Sequence, residues 1–429
     1  MKKFVAMLCT LALAAGCALG LTACGGGSDE NEIVVWCEAT GSDVDVMDAF
    51  CEYFNENNDM GYTMTYVMQE SVSSSLSSAS LGGAAPDLVI WPRWETVSRT
   101  NLLHDLTDKI AASDVISPED YNEAARSELE IGGAVYGVPT DLDAWGLWCN
   151  MDLMEESQIP STWDELKAST EALTSGSGSD IIVGLDAYNL RGQFYSFMLS
   201  AGAQLVDDSG IYPVINIDTS DTSSASYQDA LSVMQLFIDL MEITGCPTDY
   251  HTDDMFIAGK VAMKFGPSNY AQTVEGLLGS EMNLTFVGYP AKSETEGAVT
   301  GMLGGYSLAV PAASDLDKGF EVMEWWLSDE NLTKYCELYG LLPAKTSLQS
   351  ASFVSESEVL TTMLEMLPDC DVRPVVKGYS NVETSVIFST IDALREYVRT
   401  GSGSVTSAAA AIEQIKTRGD AQFQLEAIL

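Results

Sequence analysis

Apolar and polar positions follow two rhythms along this chain. Ile33–Trp36 is a short β-rich run, and beyond it Val46, Ala49, Phe50, Tyr53 and Phe54 recur at i, i+3, i+4, i+7 and i+8, the spacing of an amphipathic helix. Thr63–Met68 reads as a second strand. Ser71–Leu81 is serine-rich but helical in pattern, and Gly82-Gly83 ends it. Pro86–Trp91 is a third, nearly continuous apolar strand, as expected of strands buried on both faces. Strands alternating with helices predict an α/β lobe with right-handed crossovers. The loop Trp91-Pro92-Arg93-Trp94-Glu95 then falls at the carboxyl end of a strand, the edge where open α/β sheets bind ligands.

The stretch Gly132–Leu173 marks a change of body. An apolar segment, Ala134–Val138, ends at Pro139, which lacks a backbone donor, so a central strand should stop or change partners there. Asp141 and Asp143 follow, then the apolar run Ala144–Cys149, then Pro160. Thr162 with Glu165 forms a capping box for a helix that carries Leu166, Ser169, Thr170 and Leu173. Two acids and Trp145 at the crossing between two bodies point to a ligand cleft. Farther on the pattern gives a Gly/Ser loop at Ser175–Asp180, a strand at Ile181–Leu185, helices at Gln193–Leu199 and Gln228–Met241, and a strand from Leu284 to Tyr289. A helix follows at Phe320–Leu327, and two more carry Ile387, Ile391, Leu394 and Val398, and Ala408, Ile412 and Ile415.

The crossing stretch resembles the extracellular solute-binding proteins of ABC importers, in the sugar-binding group that includes maltodextrin-binding proteins. The residues that carry the likeness are Gly132, Gly133, Tyr136, Gly137, Pro139, Asn150, Asp152, Leu153, Pro160 and the run Thr162–Leu166. Further matches are Gly83, Pro86, Asp87, Leu88 and Val89; the element Phe256–Met263 with Gly266-Pro267-Ser268; Gly304–Pro311; and Gly340–Lys345. Related chains often carry Trp where Ser268 stands, so Tyr270 is expected to supply that aromatic face. The likeness spans about the whole chain beyond its N-terminal segment. It implies a two-lobe periplasmic-binding-protein-like α/β fold (type II), each lobe a central sheet flanked by helices, with the ligand cleft at the hinge. The expected lobes are 33–139 with 305–342, and 140–304 with 343–429. Hinge crossings are expected near Pro139–Thr140, Gly305–Ser307 and Leu342–Pro343.

The N-terminus adds a location. Met1–Lys3 is basic and Phe4–Leu21 apolar, the pattern of a secretory signal over 1–23. Leu21-Thr22-Ala23-Cys24 resembles a bacterial lipobox, which implies a lipid on Cys24 and a short tether over 24–32. The expected protein is exported and held at the outer face of the cell membrane by that lipid.

Charge and cysteines narrow the chemistry. Twenty Lys and Arg against 63 Asp and Glu give a net charge of −43, which argues against nucleic acid as a partner, since phosphate binding needs clustered cations. Cys37, Cys51, Cys149, Cys246, Cys336 and Cys370 are widely spaced among apolar residues, so buried free thiols are expected rather than disulfides. With only His104 and His251, a histidine-rich metal site is not expected, nor is any cofactor.

The candidate ligand contacts are Glu38, Trp91, Arg93, Asp141, Asp143, Trp145, Tyr270, Gly305, Tyr306 and Arg373. Aromatic faces stack on the C–H faces of a sugar ring, while carboxylates and guanidinium groups grip its hydroxyls. Trp91 has the core as its other reading. Asp141 and Asp143 share a side in an extended segment and Trp145 continues it; a solvated loop is the alternative. Arg373 and Tyr379 either close the site or form a surface loop. The leading expectation is a monomeric receptor that captures a carbohydrate and delivers it to ABC permease subunits, without catalysis. Two others stay open: the same fold binding a cation such as a polyamine, and a secreted glycosidase using Asp141 and Asp143 as acid and base.

Overall fold

The computed structural model describes residues 31–38, 43–248, 250–272, 274, 282–298 and 300–428. The expected signal peptide, Cys24 and nearly all of the tether lie outside the described residues.

Two sheets carry the fold. The first has the strand order Thr63–Gln69, Glu32–Glu38, Leu88–Pro92, Tyr306–Ala309, Val138–Pro139. Its first three strands are parallel, and Tyr306–Ala309 runs antiparallel to both of its neighbours. The helix between its first two strands in sequence, Asp43–Asn57, buries Met47, Phe50 and Phe54, the apolar stripe that the spacing predicts. Helix Val72–Gly82 is started by the Ser71 hydroxyl, which accepts the Ser74 N–H, and is ended by Gly83 at φ 67°.

The second sheet is organised by one ten-residue strand, Asp141–Asn150, which pairs antiparallel with Val261–Pro267, Leu284–Val287, Met302–Gly304 and Leu342–Pro343. The strand is longer than the apolar run Ala144–Cys149 because the acids at its start find partners inside the protein. The apolar segment before it is shorter than its pattern: it splits into a hairpin arm, Ala134–Val135, and a two-residue strand, Val138–Pro139. Pro139 does mark a change of partner, since Val138 pairs in the first sheet and Asp141 in the second. The capping box is present in both halves: the Thr162 hydroxyl accepts the Glu165 N–H, and the Glu165 carboxylate accepts the Thr162 N–H.

Aromatic packing fastens the flanking helices. Phe50 stands 4.5 Å from Trp326 and 5.2 Å from Tyr335, tying helix Asp43–Asn57 to Leu316–Leu327 and Asp329–Tyr339. On the far side of the second sheet, Phe197 meets Phe237, Phe265 and Tyr289 edge-on at 5.4 Å each. All six described cysteines are free: five are buried and Cys370 is half-buried.

Candidate functional site

The two sheets meet where the chain crosses between them, and a cavity of about 330 Å³ opens there. Gly305 is the single residue between Met302–Gly304 of the second sheet and Tyr306–Ala309 of the first. Its φ is +129°, and a Cβ there would collide with the Arg93 guanidinium and the Asp141 carbonyl oxygen. Only glycine fits that backbone and that space.

The cavity's polar groups come from both sheets. Glu38, at the end of the first strand, accepts the Val72 N–H at 2.9 Å, and its carboxyl is pushed up by burial, against that bond and with the help of Glu95. Asp143 accepts both the N–H and the hydroxyl of Ser268, at 2.9 and 2.6 Å; burial raises its carboxyl although those donors oppose the shift. Arg373 lies 5.3 Å over the Trp94 ring and 3.4 Å from the Glu383 carboxylate. Trp94, Trp145 and Tyr306, all half-buried, supply aromatic walls, with Tyr335 and Tyr339 behind them. Rings beside hydrogen-bonding groups in a cavity of this size are the features of a candidate small-molecule site.

Six of the ten sequence candidates line this cavity: Glu38, Asp143, Trp145, Gly305, Tyr306 and Arg373. The other four do not. Trp91 is fully buried with Val72, Leu76, Val89 and Leu103, because alternation along Leu88–Pro92 sends Val89 and Trp91 to the helix side and Ile90 and Pro92 to the cavity. Trp94, at the start of the next short turn, is the indole of this loop that lines the cavity.

Arg93 is also fully buried. Its Nε meets Glu128 at 2.8 Å, one terminal nitrogen donates to the carbonyls of Asp141 and Tyr306, and the other donates to that of Gly304. It is a cross-tie beneath the cavity, joining carbonyls from both sheets. Asp141 points to the same side as Asp143, but the Gly305 crossing covers it. Its carboxylate accepts the Thr140 hydroxyl at 2.6 Å and the Tyr306 N–H at 3.3 Å, and burial raises its pKa to about 6. With Asp141 covered, the two acids cannot flank a glycosidic bond, so the acid–base pairing expected for a glycosidase is absent. Tyr270 turns inward against Trp148 and Phe256, with its hydroxyl on Asp253 at 2.7 Å; Pro267 and Asn269 line the cavity instead.

Asn269, Tyr335, Tyr339 and Leu341 escaped the sequence reading. Tyr335 and Tyr339 stand four apart on helix Asp329–Tyr339, with ring centres 4.8 Å apart, just before the expected crossing at Leu342–Pro343. That spacing, next to a crossing, was the available signal.

Residues 49–362 match the family described as bacterial extracellular solute-binding protein, well over half of the chain. The chain belongs to that family. Among solved structures, this solute-binding protein is similar to the GacH receptor of Streptomyces glaucescens, a structure studied unliganded and with acarbose. That likeness has 20% identity and a TM-score of 0.72, over 92% of this chain and 98% of that one. An ABC transporter solute-binding protein from Thermotoga lettingae, bound with α-D-tagatose, shares 17% identity and a TM-score of 0.71 over 92% and 100% of the two chains. A maltose/maltodextrin-binding domain from Bdellovibrio bacteriovorus, bound to maltotriose, shares 17% identity and a TM-score of 0.72 over the same shares. The fold is therefore the two-lobe α/β architecture of those sugar-binding proteins, and the family is one of extracellular binding proteins rather than enzymes.

Proposed function

We propose that this solute-binding protein captures a carbohydrate in the cavity at the sheet junction and presents it to the permease of an ABC importer. The observation that carries the reading is the lining itself. Trp94, Trp145 and Tyr306 offer flat apolar faces, while Glu38, Asp143, Asn269 and Arg373 offer acceptors and donors around them. A sugar presents the complementary surface, C–H faces ringed by hydroxyls.

The lobes are 33–139 with 305–342, and 140–304 with 343–429, and the crossings at Pro139–Thr140, Gly305–Ser307 and Leu342–Pro343 act as the hinge. Hinge closure around ligand is the motion for which the periplasmic binding proteins are a standard example. Binding shifts the population toward the closed form because the ligand touches both lobes there. The protein is an exported monomer whose Cys24 carries lipid and holds it at the membrane.

Titration calorimetry with neutral oligosaccharides and, separately, with spermidine tests the reading, with small-angle scattering on the saturated protein. Saturable sugar binding with a smaller radius of gyration is expected. Binding of spermidine and of no sugar would overturn it in favour of a cationic ligand.

A further inference from the structure

Trp94 stands between two cavities. Beyond the one described above lies a second, of about 270 Å³, between the start of helix Val72–Gly82, the Arg93–Ser98 turn with Arg99, and the segment Lys377–Asn381. Its lining is rich in hydroxyls, including those of Ser71, Ser73, Ser74 and Ser98.

Arg99 and Lys377 are the cations of this lining. Among the described residues, fourteen lysines and arginines form ion pairs. Four described cations, Arg99, Lys260, Lys377 and Arg418, form no ion pair, and two of the four, Arg99 and Lys377, line this cavity. The Arg99 Nε is moreover buried without a hydrogen-bond partner. A desolvated donor left unmet is costly, and an incoming oxygen would relieve it.

Two acids share the lining. Glu426 already accepts the amides of Asn381 and Gln422, and Glu95 forms no ion pair with Arg99.

We propose that the second cavity takes an anionic substituent, a carboxylate or a sulfate ester, on a sugar unit that lies past Trp94 from the units in the first cavity. The ligand is then an acidic oligosaccharide. This rests on the carbohydrate reading above. The net charge of −43 repels such a ligand at long range, so its selection must come from short-range contacts with Arg99 and Lys377.

The test is calorimetry on the exported chain with paired tetrasaccharides of the glucose, galactose and mannose series: uronate against carboxyl-reduced, and sulfated against desulfated. At least one acidic member should bind about 10-fold tighter than its neutral partner, and which pair shows it distinguishes carboxylate from sulfate. Arg99→Gln with Lys377→Gln should remove that advantage and flatten its salt dependence, while leaving the melting point and neutral-sugar affinity as they were. Neutral forms binding as well as every acidic one, or the double variant keeping the advantage, would overturn the inference and leave the carbohydrate reading standing. Absence of any sugar binding would overturn both.

Discussion

The Asp143 carboxylate and Ser268 are locked together by two hydrogen bonds to one oxygen, from the N–H at 2.9 Å and the hydroxyl at 2.6 Å. The other carboxylate oxygen is therefore aimed without further ordering, and Asp143 lines the cavity. Asp143→Ala should weaken sugar binding by about 10- to 150-fold, the range of a charge-assisted hydrogen bond of about 1.5–3 kcal/mol. Ser268→Ala keeps the N–H bond and should weaken it less, by about 10-fold or under. Calorimetric affinities beside melting curves check both. Undiminished affinity in Asp143→Ala would take that residue out of the site.

Gly305→Ala meets two obstacles at once, a φ of +129° and the space already filled by the Arg93 guanidinium. It should lower stability by at least about 2 kcal/mol, well above the cost of a surface change. Denaturant unfolding measures this, and a loss below about 0.5 kcal/mol would show that the crossing can relax.

Asp141 gives a pH signature. Its pKa lies near 6 in the folded chain against an ordinary 3.8. Between about pH 4 and pH 6 the unfolded chain has released this proton while the folded chain still holds it, so this group makes stability fall as pH rises through that window. Asp141→Asn abolishes the titration. The variant's melting point, relative to the unaltered protein, should therefore climb from pH 4 to pH 6 and level off above. A difference that stays flat would mean that Asp141 titrates normally.

Two buried tryptophans should respond differently to Phe. The Trp148 Nε1–H donates to the Pro267 carbonyl at 2.8 Å, whereas Trp91 Nε1 has no partner. Trp148→Phe loses a bond and orphans a carbonyl; Trp91→Phe removes a donor that was already unmet. The first should cost about 1–2 kcal/mol more in chemical denaturation. Equal losses would contradict the contrast.

Lipid attachment predicts a change of compartment. Cys24→Ala should release the protein into the medium, because the lipid on Cys24 is the proposed tether. Fractionation and immunoblotting decide; a variant that stays with the membrane fraction rules out a tether at Cys24. Stable anchoring would need at least two acyl chains.

The elements were largely legible because period and punctuation agree: Phe50 and Phe54 fall on a helical stripe, Ser71 and Gly83 bracket a helix, and Thr162 with Glu165 starts another. The site was legible only in part, because parity along a strand says which residues share a face but not what covers that face. Asp141 and Asp143 share one, yet the Gly305 crossing lies over the first alone. Parity would have removed Trp91 from the candidates, since it shares a face with Val89 rather than with Ile90. Arg93 carried no such warning: besides the Glu128 carboxylate, its partners are carbonyls 48 to 213 positions away in sequence, which any residue could supply.

The described cysteines make the molecule a convenient optical reporter. Burial pushes the Cys51, Cys149 and Cys370 thiols up to about 12 and Cys246 to about 11, and raises Cys336 well above the ordinary thiol range, so these five hold little thiolate at neutral pH to react with a maleimide. In a protein beginning after Cys24, Ser74→Cys would place one reactive sulfur on an exposed lip of the second cavity. With Cys37, which lines the first cavity, replaced by Ser, a dye attached there would change brightness as solute enters, turning the receptor into a reagentless sensor for its own cargo.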